Sequence, residues 1–559
     1  MSTTHEPDIV AYPPERLARY RAAGVPGERT IAQEFRAVAD AYPDRPALLT
    51  TIEELTYAEL DRRTDRVALG LRALGLQAGE RVLMQFTNTG WAVVVWYGLI
   101  KAGLVPVATL AQHRRHEIFD IAAQCEPAAH LIETTFRGQD LVALARDTAA
   151  HAPSLRVLLT IGPSVDGAVT TEALLQAGPA DDAEARDAVE ALGREITGES
   201  LACLQLSGGT TSTPKLIPRL HAEYWLNARL YAEGMELDES GCVPHLLPVI
   251  HNAGIVCGLH AAHAVGACFA VCSPNGEELK TLAATGRLTH LMMPPPVEQM
   301  VHADPELREL LRTLKVVIYV LGAPSEAIIE EFEPDGCVVG RMFGQSEGMC
   351  MITPLRADAT LRHDTVGAPL HELDEVRILR PDSEEPVAPG EPGELCCRGP
   401  YTIPGYYRSP ERNREAFTRE GFYRTGDIVR EIPRPTHPTR PCYRLEDRLK
   451  DLINRGGEKV NAVEIEELLV THPAIDRAAL VAMPDARLGE RACAFVVAAD
   501  GTPAPDLPEI QAYLDGRGVA KYKWPERVEI RDALPLTNVQ KVDKKTLRAE
   551  IAALLAAVS

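Results

Sequence analysis

The sequence contains no run of apolar residues long enough to cross a membrane. Its most apolar window, residues 91–110, is broken by Lys101, Gly103 and Pro106, whereas a spanning helix needs about 20 predominantly apolar residues. We interpret this window as a helix that leads into a strand. Residues 1–8 are polar and acidic, so we also expect no signal peptide.

Positively charged residues are scarce relative to negatively charged ones. The chain has 58 lysine and arginine residues against 79 aspartate and glutamate residues, which gives a net charge of −21. Proteins that bind nucleic acids carry basic stripes, and anionic membrane surfaces attract basic segments. We therefore expect neither a nucleic-acid partner nor a membrane partner.

Cysteines paired at metal-binding spacing are also missing. The twelve cysteines are scattered without a CxxC pair. The neighbouring residues Cys396 and Cys397 are poorly placed to form a disulfide with each other. This cysteine usage favours reduced thiols and a cytoplasmic location.

The order of helix and strand patterns predicts the fold class. A chain of 559 residues suggests two to four domains. Strand and helix patterns alternate up to residue 110 and again after residue 222, which predicts parallel sheets covered by helices. Residues 393–407 are typical of short strands and turns, and residues 462–530 of a compact α+β unit. We expect an α/β fold with a large N-terminal domain of parallel and mixed sheets, a β-rich subdomain, and a small α+β C-terminal domain.

Residues 207–215 form a polar loop directly after an apolar strand pattern at residues 201–206. The loop combines two glycines, four consecutive hydroxyl residues and a lysine, a composition that suits donors wrapped around phosphate oxygens. It is not a Walker loop, because that pattern has glycine directly before the lysine. Here Pro214 precedes Lys215. We therefore predict a phosphate-binding loop of another type.

Further candidate ligand groups follow predicted strands. Apolar strand patterns at residues 315–321 and 338–343 each lead into a turn that contains glycine. In open α/β sheets ligands bind beyond the carboxyl ends of the strands, so these turns are candidate walls of one site. Asp427 follows a Thr-Gly pair, and an aspartate on such a turn can accept hydrogen bonds from both ribose hydroxyls.

These motifs, in this order, resemble those of the adenylate-forming superfamily, which includes acyl-CoA synthetases, peptide-synthetase adenylation domains and luciferases. The resemblance extends from about residue 18 to the end of the chain. It implies that Phe343 packs on adenine and that Glu347 binds Mg²⁺. The nucleotide-binding residues that it implies are Ser207, Gly208, Gly209, Thr210, Thr211, Lys215, Gly322, Phe343, Gly344, Gln345, Asp427 and Arg448.

The same resemblance implies two domains, residues 1–449 and residues 450–559, with Lys450 as the hinge. The first domain would bind ATP and the acid, and the second would be a mobile lid that carries the catalytic residue Lys541. Lid closure would bring Lys541 to the acid carboxylate and the α-phosphate. Rotation of the lid would then admit a phosphopantetheine thiol. The pair Gly456-Gly457 would let the backbone approach that thiol arm closely.

A narrower resemblance links the chain to free-standing aryl-acid ligases, which activate 2,3-dihydroxybenzoate or salicylate for siderophores and related natural products. The resemblance is carried by runs of residues identical to those of such ligases, at residues 205–209, 215–219, 398–403, 405–407, 421–430 and 453–460.

The acid pocket of this branch is formed around residues 251–257. Relatives that activate amino acids have aspartate in place of Asn252, and a neutral amide does not compensate a buried ammonium group, so an α-amino acid is disfavoured. Ala253 and Cys257 replace an aromatic residue and a serine of the dihydroxybenzoate enzymes, which leaves room and removes a hydroxyl group. The implied acid-binding residues are Asn252, Ala253, Cys257, Ala323 and Cys350, with His251 as a further catalytic residue.

We therefore expect an ATP- and Mg²⁺-dependent ligase. It would activate an ortho-hydroxy or ortho-amino benzoate as the aryl-adenylate and pass the aryl group to the phosphopantetheine thiol of an aryl carrier protein. A ligase that uses free CoA is an alternative that the sequence does not separate. A nucleotide-binding scaffold with weakened catalysis is another, because Ser212, Asp447 and Gln540 stand where relatives usually have glycine. Monomer and homodimer both stay open.

Overall fold

The computed structural model describes residues 8–207, 214–320, 323–380, 383–434, 437, 440–448, 452–535 and 542–556. Within these ranges the chain forms a large α/β N-terminal domain with a β-rich subdomain, followed by a small α+β C-terminal domain. The predicted fold class is therefore confirmed. The predicted domain boundary at Lys450 lies outside the described residues and stays a prediction.

The largest sheet of the described residues has seven strands, which run parallel except for a hairpin at one edge. The strand Leu201–Ser207 pairs in parallel with Val105–Val107 and antiparallel with Lys215–Leu220. The predicted phosphate loop therefore joins two neighbouring strands of one sheet. In spatial order the strands are Lys215–Leu220, Leu201–Ser207, Val105–Val107, Arg81–Gln85, Ala129–Glu133, Val157–Ile161 and Val169–Thr170.

Two smaller sheets complete the α/β part of the N-terminal domain. One has, in order, the strands Cys242–His245, Cys268–Val271, Pro46–Leu49 and Glu54–Thr56. The other has, in order, the strands His290–Met293, Val316–Tyr319, Val338–Gly344, Cys350–Ile352 and Ala368–Pro369. In this second sheet Val316–Tyr319 and Val338–Gly344 are parallel neighbours. The turns after these two strands therefore lie at the same edge, as the sequence predicts.

The β-rich subdomain and the C-terminal domain each contain one further sheet. The subdomain sheet is antiparallel, with the strands Glu375–Leu379, Gly393–Arg398, Tyr423–Ile432 and Cys442–Arg448. The C-terminal sheet is mixed, with the strands Glu458–Asn461, Leu452–Arg455, Gly489–Ala498, Ile475–Asp485 and Arg527–Ile530. A short hairpin lies apart from these sheets, between Thr135–Phe136 and Gln139–Asp140.

Helices connect the strands and cover the sheets. Apolar spacing from Thr56 to Leu74 predicts a helix. It begins where expected, because the Thr56 hydroxyl accepts from the Glu59 N–H and the Glu59 carboxylate accepts from the Thr56 N–H, which is a capping box. The α-helices of the N-terminal domain are Pro14–Ala22, Ile31–Ala41, Tyr57–Ala73, Gly90–Lys101, Arg115–Cys125, Leu141–His151, Thr171–Leu174, Asp182–Leu192, His221–Gly234, Ala261–Ala264, Gly276–Ala283, Pro295–Ala303, Pro305–Leu310, Glu326–Phe332, Ala359–Asp364 and Pro410–Ala416. Those of the C-terminal domain are Ala462–Leu469, Leu507–Gly516 and Lys544–Ala556.

The most apolar window of the sequence is part of the folded core. The structure has the helix Gly90–Lys101 and the strand Val105–Val107 there, which confirms the predicted helix that leads into a strand. Among the described residues, no helix combines the length and the apolar character that a bilayer span requires. All twelve cysteines are described, and each is buried and free, which agrees with reduced thiols.

Candidate active site

A cavity of about 1470 Å³ opens at the carboxyl ends of strands from two different sheets. Its lining includes Leu206, Val320 and Gly344, which lie at or directly after the ends of three strands. This is where ligands of open α/β sheets bind. The position of the cavity therefore agrees with the site expected from the sequence.

The side of the cavity that carries the predicted acid-binding residues, here called the acid side, is shaped by a π-helical segment. Asn252 and Ala253 lie directly before the π-helix Gly254–His260, which contains Cys257, and all three line the cavity. A Cβ atom at Gly254 would lie 2.3 Å from the Val249 carbonyl oxygen, so the close approach of the two backbones requires glycine. π-helical turns occur frequently at functional sites, and this one presents the predicted pocket residues together.

A buried ion pair connects the acid side of the cavity to the loop after Val338–Gly344. Arg219 is fully buried and donates to the Glu223 carboxylate at 3.0 and 2.7 Å. Its Nη1 also donates to the Ser346 carbonyl oxygen at 2.8 Å. The pair compensates both charges away from water. Sequence analysis did not identify this network, although the i, i+4 spacing of arginine and glutamate was an available signal.

One tyrosine joins two of the predicted phosphate-site residues. The Tyr406 hydroxyl donates to Glu347 Oε1 at 2.7 Å, and Glu347 is only 4% exposed. Lys215 Nζ lies 3.5 Å from the same hydroxyl and 4.6 Å from the centre of the tyrosine ring. Tyr406 therefore orients the carboxylate expected to bind Mg²⁺ next to the lysine expected to contact phosphate. Tyr406 belongs to the run 405–407 that resembles aryl-acid ligases, but no local pattern indicated its contacts with Glu347 and Lys215.

The donor set at Glu347 suits Mg²⁺. The described residues contain no group of three or more histidine, cysteine or acidic side chains that would hold a metal ion without a substrate. Mg²⁺ usually binds one or two carboxylates and completes its shell with water and substrate phosphates. Glu347, a single carboxylate beside Lys215 and the end of the phosphate loop, fits that pattern.

The predicted ribose site lies on the β-rich subdomain. Asp427 is buried, lines the cavity and accepts a hydrogen bond of 2.7 Å from Gln345 Nε2. Gly426, directly before it, has a φ of 74°, a left-handed conformation that favours glycine. Asp427 is also the backbone partner of Arg448 across the antiparallel strands. The turn predicted at Thr425-Gly426-Asp427 is instead part of the strand Tyr423–Ile432, whose pairing register shifts between Arg424 and Ile428, and this strand holds the carboxylate at the cavity wall.

The cavity brings together most of the predicted site residues. Those that line it are Lys215, His251, Asn252, Ala253, Cys257, Phe343, Gly344, Gln345, Glu347, Cys350 and Asp427. Within the described chain, Ala323 is exposed and does not line the cavity, while Ser207 and Arg448 are the last residues of their strands. The predicted residues that lie outside the described ranges are Gly208, Gly209, Thr210, Thr211, Gly322, Lys450 and Lys541.

A turn of the C-terminal domain also lines the cavity. Gly456 and Gly457 connect the strands Leu452–Arg455 and Glu458–Asn461, with φ angles of 59° and 98°. A Cβ atom at Gly456 would lie 2.8 Å from Leu488 Cδ2, so glycine suits both the conformation and the packing. Both domains therefore contribute to one cavity.

Residues predicted to bind the nucleotide and the acid line one cavity that two domains share, which is the arrangement expected of an adenylate-forming enzyme. Comparison with family models agrees. The model described as AMP-binding enzyme matches residues 35–407, and the model described as AMP-binding enzyme C-terminal domain matches residues 464–541. The chain belongs to the AMP-binding enzyme family, and the resemblance seen in the sequence is confirmed.

Similar proteins match nearly the whole chain. Pyochelin synthase PchD of Pseudomonas aeruginosa is 36% identical over 97% of this chain and 96% of its own length. The 2,3-dihydroxybenzoate-AMP ligase of Bacillus subtilis is 37% identical, with 97% of each chain covered. The salicyl-AMP ligase / salicyl-S-ArCP synthetase of Mycobacterium tuberculosis is 35% identical over 96% of this chain and 94% of its own. The apo structure of Mycobacterium smegmatis MbtA superimposes with a TM-score of 0.69 at 34% identity, covering 97% of this chain and 99% of the other.

Proposed function

We propose that this enzyme activates an ortho-substituted aromatic carboxylic acid with ATP and transfers the aryl group to a phosphopantetheine thiol. The observation that carries the proposal is that Asn252 and Cys257 share one cavity with Glu347 and Asp427. Uncharged residues predicted to bind the acid therefore lie in the same cavity as the groups expected to hold the nucleotide, which supports the proposal. The similar proteins named for 2,3-dihydroxybenzoate and salicyl substrates support the same class of acid.

In the first half-reaction an oxygen of the acid carboxylate attacks the α-phosphorus of ATP. The new P–O bond forms as the bond to pyrophosphate breaks, and the product is the aryl-adenylate. Asp427 would accept hydrogen bonds from the ribose hydroxyls, and Phe343 would pack against adenine. Lys215 would stabilise the charge of the departing pyrophosphate, and Thr210 and Thr211 of the predicted phosphate loop would donate hydrogen bonds to it.

Two further residues would act on the reacting groups. Glu347 would hold Mg²⁺ on the phosphates, and the ion supplies Lewis-acid stabilisation of the developing charge. Lys541 would bridge the acid carboxylate and the α-phosphate after the C-terminal domain closes. A well-placed donor of this kind contributes about 3–4 kcal/mol to transition-state stabilisation.

The second half-reaction would use the turn Gly456-Gly457 of the C-terminal domain. Because this turn lines the cavity and carries no side chains, it leaves room for a thiol arm to approach the adenylate. The thiol sulfur would attack the aryl carbonyl carbon and release AMP. We propose an aryl carrier protein as the thiol donor, in line with the printed name of the Mycobacterium tuberculosis relative. Free CoA is the second candidate, because a 37% identical Streptomyces protein is named salicylyl-CoA synthase.

The test is acid-dependent ATP–pyrophosphate exchange across a panel of benzoates, anthranilates and picolinate. We expect exchange with at least one ortho-substituted benzoate, and a loss of about 10²–10³ in the Lys541→Ala variant. The same variant should still form thioester from supplied aryl-adenylate. If no acid of the panel supports exchange above background, the nucleotide-binding scaffold replaces this proposal. Parallel thioester assays with carrier protein and with CoA distinguish the two acceptors.

A further inference from the structure

The resemblance to aryl-acid ligases implies that Asn252 contacts the ortho substituent of the acid. We infer that a hydrogen-bond chain behind the acid pocket fixes the orientation of the Asn252 amide, so that its N–H groups and not its oxygen face that substituent. The enzyme would then select acids with an ortho acceptor over acids with an ortho amino group. The positioning residues are Gln205, Tyr224 and Arg219. The inference rests on the proposed function, because it concerns the acid bound in that pocket.

The chain begins at Gln205 on the strand Leu201–Ser207. Its Nε2 donates to the Ile250 carbonyl oxygen at 3.3 Å and to the Tyr224 hydroxyl at 3.0 Å. A carbonyl oxygen can only accept, so the nitrogen of the Gln205 amide, and not its oxygen, must face it. Tyr224 therefore accepts from Gln205, and its own proton is available for another acceptor.

That proton is directed at Asn252. The Tyr224 hydroxyl lies 3.0 Å from Asn252 Oδ1, and Arg219 Nη1 lies 3.5 Å from the same atom. A guanidinium group can only donate. Two donors therefore converge on one atom of the Asn252 amide, which identifies that atom as the oxygen.

The surroundings keep the amide in this orientation. Tyr224 and Arg219 are fully buried and Gln205 is 1% exposed, so water does not compete for these bonds. The Glu223 carboxylate holds the guanidinium with two hydrogen bonds. A flipped Asn252 would direct its NH₂ group at two donors and lose both bonds in a buried site, where an unsatisfied polar group is costly.

The fixed orientation determines what the pocket offers to a ligand. Asn252 lines the cavity, and its Nδ2 has no hydrogen-bond acceptor among the described residues. The two N–H groups of Nδ2 are therefore available to the bound acid. The oxygen of an ortho hydroxyl accepts such a bond. The amino nitrogen of anthranilate is a poor acceptor, because its lone pair is delocalised into the ring and its N–H groups meet the amide donors.

The experiment compares salicylate and anthranilate, which differ in one ortho group of similar size. We expect the wild-type protein to prefer salicylate by about tenfold in kcat/KM for ATP–pyrophosphate exchange, since a site built around a hydrogen bond rejects ligands that cannot make it. The ratio of the kcat/KM values for the two acids, measured on one protein, does not depend on the fraction of folded enzyme. A merely structural role of the network would leave that ratio unchanged.

Two variants test the network. Tyr224→Phe removes the proton that orients Asn252, and the preference should fall to about twofold or less. Asn252→Asp replaces the donor with a carboxylate, and the preference should reverse toward anthranilate. Tyr97→Phe is the matched control: it also removes a buried tyrosine hydroxyl, which is bonded to His263, but Tyr97 does not line the cavity in the described chain. This control should keep the wild-type ratio.

The possible outcomes distinguish failure of this inference from failure of the proposed function. Equal use of the two acids by the wild type, or a preference for anthranilate, overturns the inference while the proposed function stands. An unchanged ratio in Tyr224→Phe shows that the chain does not orient Asn252. Exchange with no acid at all refutes the proposed function itself. A salicylate preference that falls in Tyr224→Phe, reverses in Asn252→Asp and persists in Tyr97→Phe supports the inference.

Discussion

Lys523 Nζ lies 3.1 Å from Glu117 Oε1, and this ion pair joins the C-terminal domain to the N-terminal domain. Glu117 is fully buried, and Glu464 accepts from the same ammonium group at 2.8 and 3.0 Å. Burial alone would raise the pKa of Glu117, but Lys523 and neighbouring groups hold it below its usual range. Because removal of one partner leaves the other charge buried, the pair stabilises this orientation of the domains.

The variant Glu117→Gln should separate the two half-reactions. In the orientation that the pair stabilises, the Gly456-Gly457 turn lines the cavity, where we propose that the thiol approaches. The neutral side chain should depopulate this orientation, since breaking a buried ion pair costs about 3–5 kcal/mol. We expect thioester formation to slow by at least about tenfold, with little loss of ATP–pyrophosphate exchange. Both rates are measured on the same preparation.

The control for Glu117→Gln is Asp515→Asn. Asp515 pairs with Arg114 across the same interface, but its side chain is 49% exposed. Pairs exposed in this way contribute only about 0–1 kcal/mol, so this variant should behave as the wild type. Equal losses of exchange and thioester formation in Glu117→Gln would show that the buried pair stabilises the fold without favouring one half-reaction.

The proposed Mg²⁺ site predicts a second result. Tyr406→Phe removes the hydrogen bond that orients the Glu347 carboxylate. Partners of metal-binding carboxylates typically contribute 10–100-fold to metal affinity, so the Mg²⁺ concentration for half-maximal exchange should rise about tenfold. Glu347→Gln should raise it further.

A second buried glutamate tests whether the change in Mg²⁺ requirement is specific to the Glu347 site. Glu394→Gln alters another buried glutamate that does not line the cavity in the described chain, and it should keep the wild-type Mg²⁺ dependence. An unchanged Mg²⁺ requirement in both Tyr406→Phe and Glu347→Gln would remove Glu347 from the proposed metal site.

The sequence predicts secondary structure best where a local signal marks the ends of an element. Apolar spacing from Thr56 to Leu74, followed by Gly75, places the helix Tyr57–Ala73 correctly. The apolar pattern at residues 478–482 predicts a strand. The observed strand is longer, Ile475–Asp485, because its antiparallel pairing with Gly489–Ala498 continues beyond the apolar residues. Such pairing is not visible in a local pattern, since the partner strand supplies the hydrogen bonds.

The candidate site shows the same difference between what local sequence motifs predict and what tertiary contacts determine. Sequence motifs identified residues expected to touch the ligands, such as Asn252 and Glu347, but not the residues that orient them. Tyr224 and Tyr406 act through contacts with segments that are distant along the chain. The sequence pattern near residues 254–265 predicts an ordinary helix, whereas the structure has the π-helix Gly254–His260 followed by the α-helix Ala261–Ala264. The tertiary packing of the π-helical segment has no signature in its residue pattern.

A third prediction concerns acid stability and uses His260. Trp96 Nε1 donates to His260 Nε2 at 2.9 Å, and an indole N–H can only donate, so the imidazole is neutral. Burial lowers the pKa of His260 well below 6.5. In the unfolded chain this histidine binds a proton below about pH 6.5, whereas the native state does not. Its contribution to stability is therefore complete above that pH and is lost as the pH falls.

His260→Gln removes this titration while an amide oxygen can still accept from Trp96. The loss of unfolding free energy between pH 7.5 and pH 5.5 should be about 1.4 kcal/mol smaller in the variant than in the wild type. Urea unfolding at both pH values, followed by tryptophan fluorescence, gives this difference. The same pH dependence in both proteins would contradict a buried neutral imidazole.

The last prediction concerns the position at which the pocket departs from dihydroxybenzoate enzymes. Cys257 lines the cavity and is 6% exposed, and burial raises the pKa of its thiol well above the usual range. A neutral thiol is a weaker hydrogen-bond partner than a hydroxyl. 2,3-Dihydroxybenzoate should therefore be no better a substrate than salicylate. Cys257→Ser should shift kcat/KM toward 2,3-dihydroxybenzoate by about fivefold, which corresponds to about 1 kcal/mol, the net contribution of one hydrogen bond.

The control for this substitution is Cys125→Ser, which alters a buried cysteine that does not line the cavity in the described chain. It should leave the ratio of the two acids unchanged, because any general loss of stability affects both substrates equally. A wild-type preference of about tenfold or more for 2,3-dihydroxybenzoate, equivalent to about 1.4 kcal/mol, would contradict the prediction. The pocket would then have to bind the 3-hydroxyl through a residue other than Cys257.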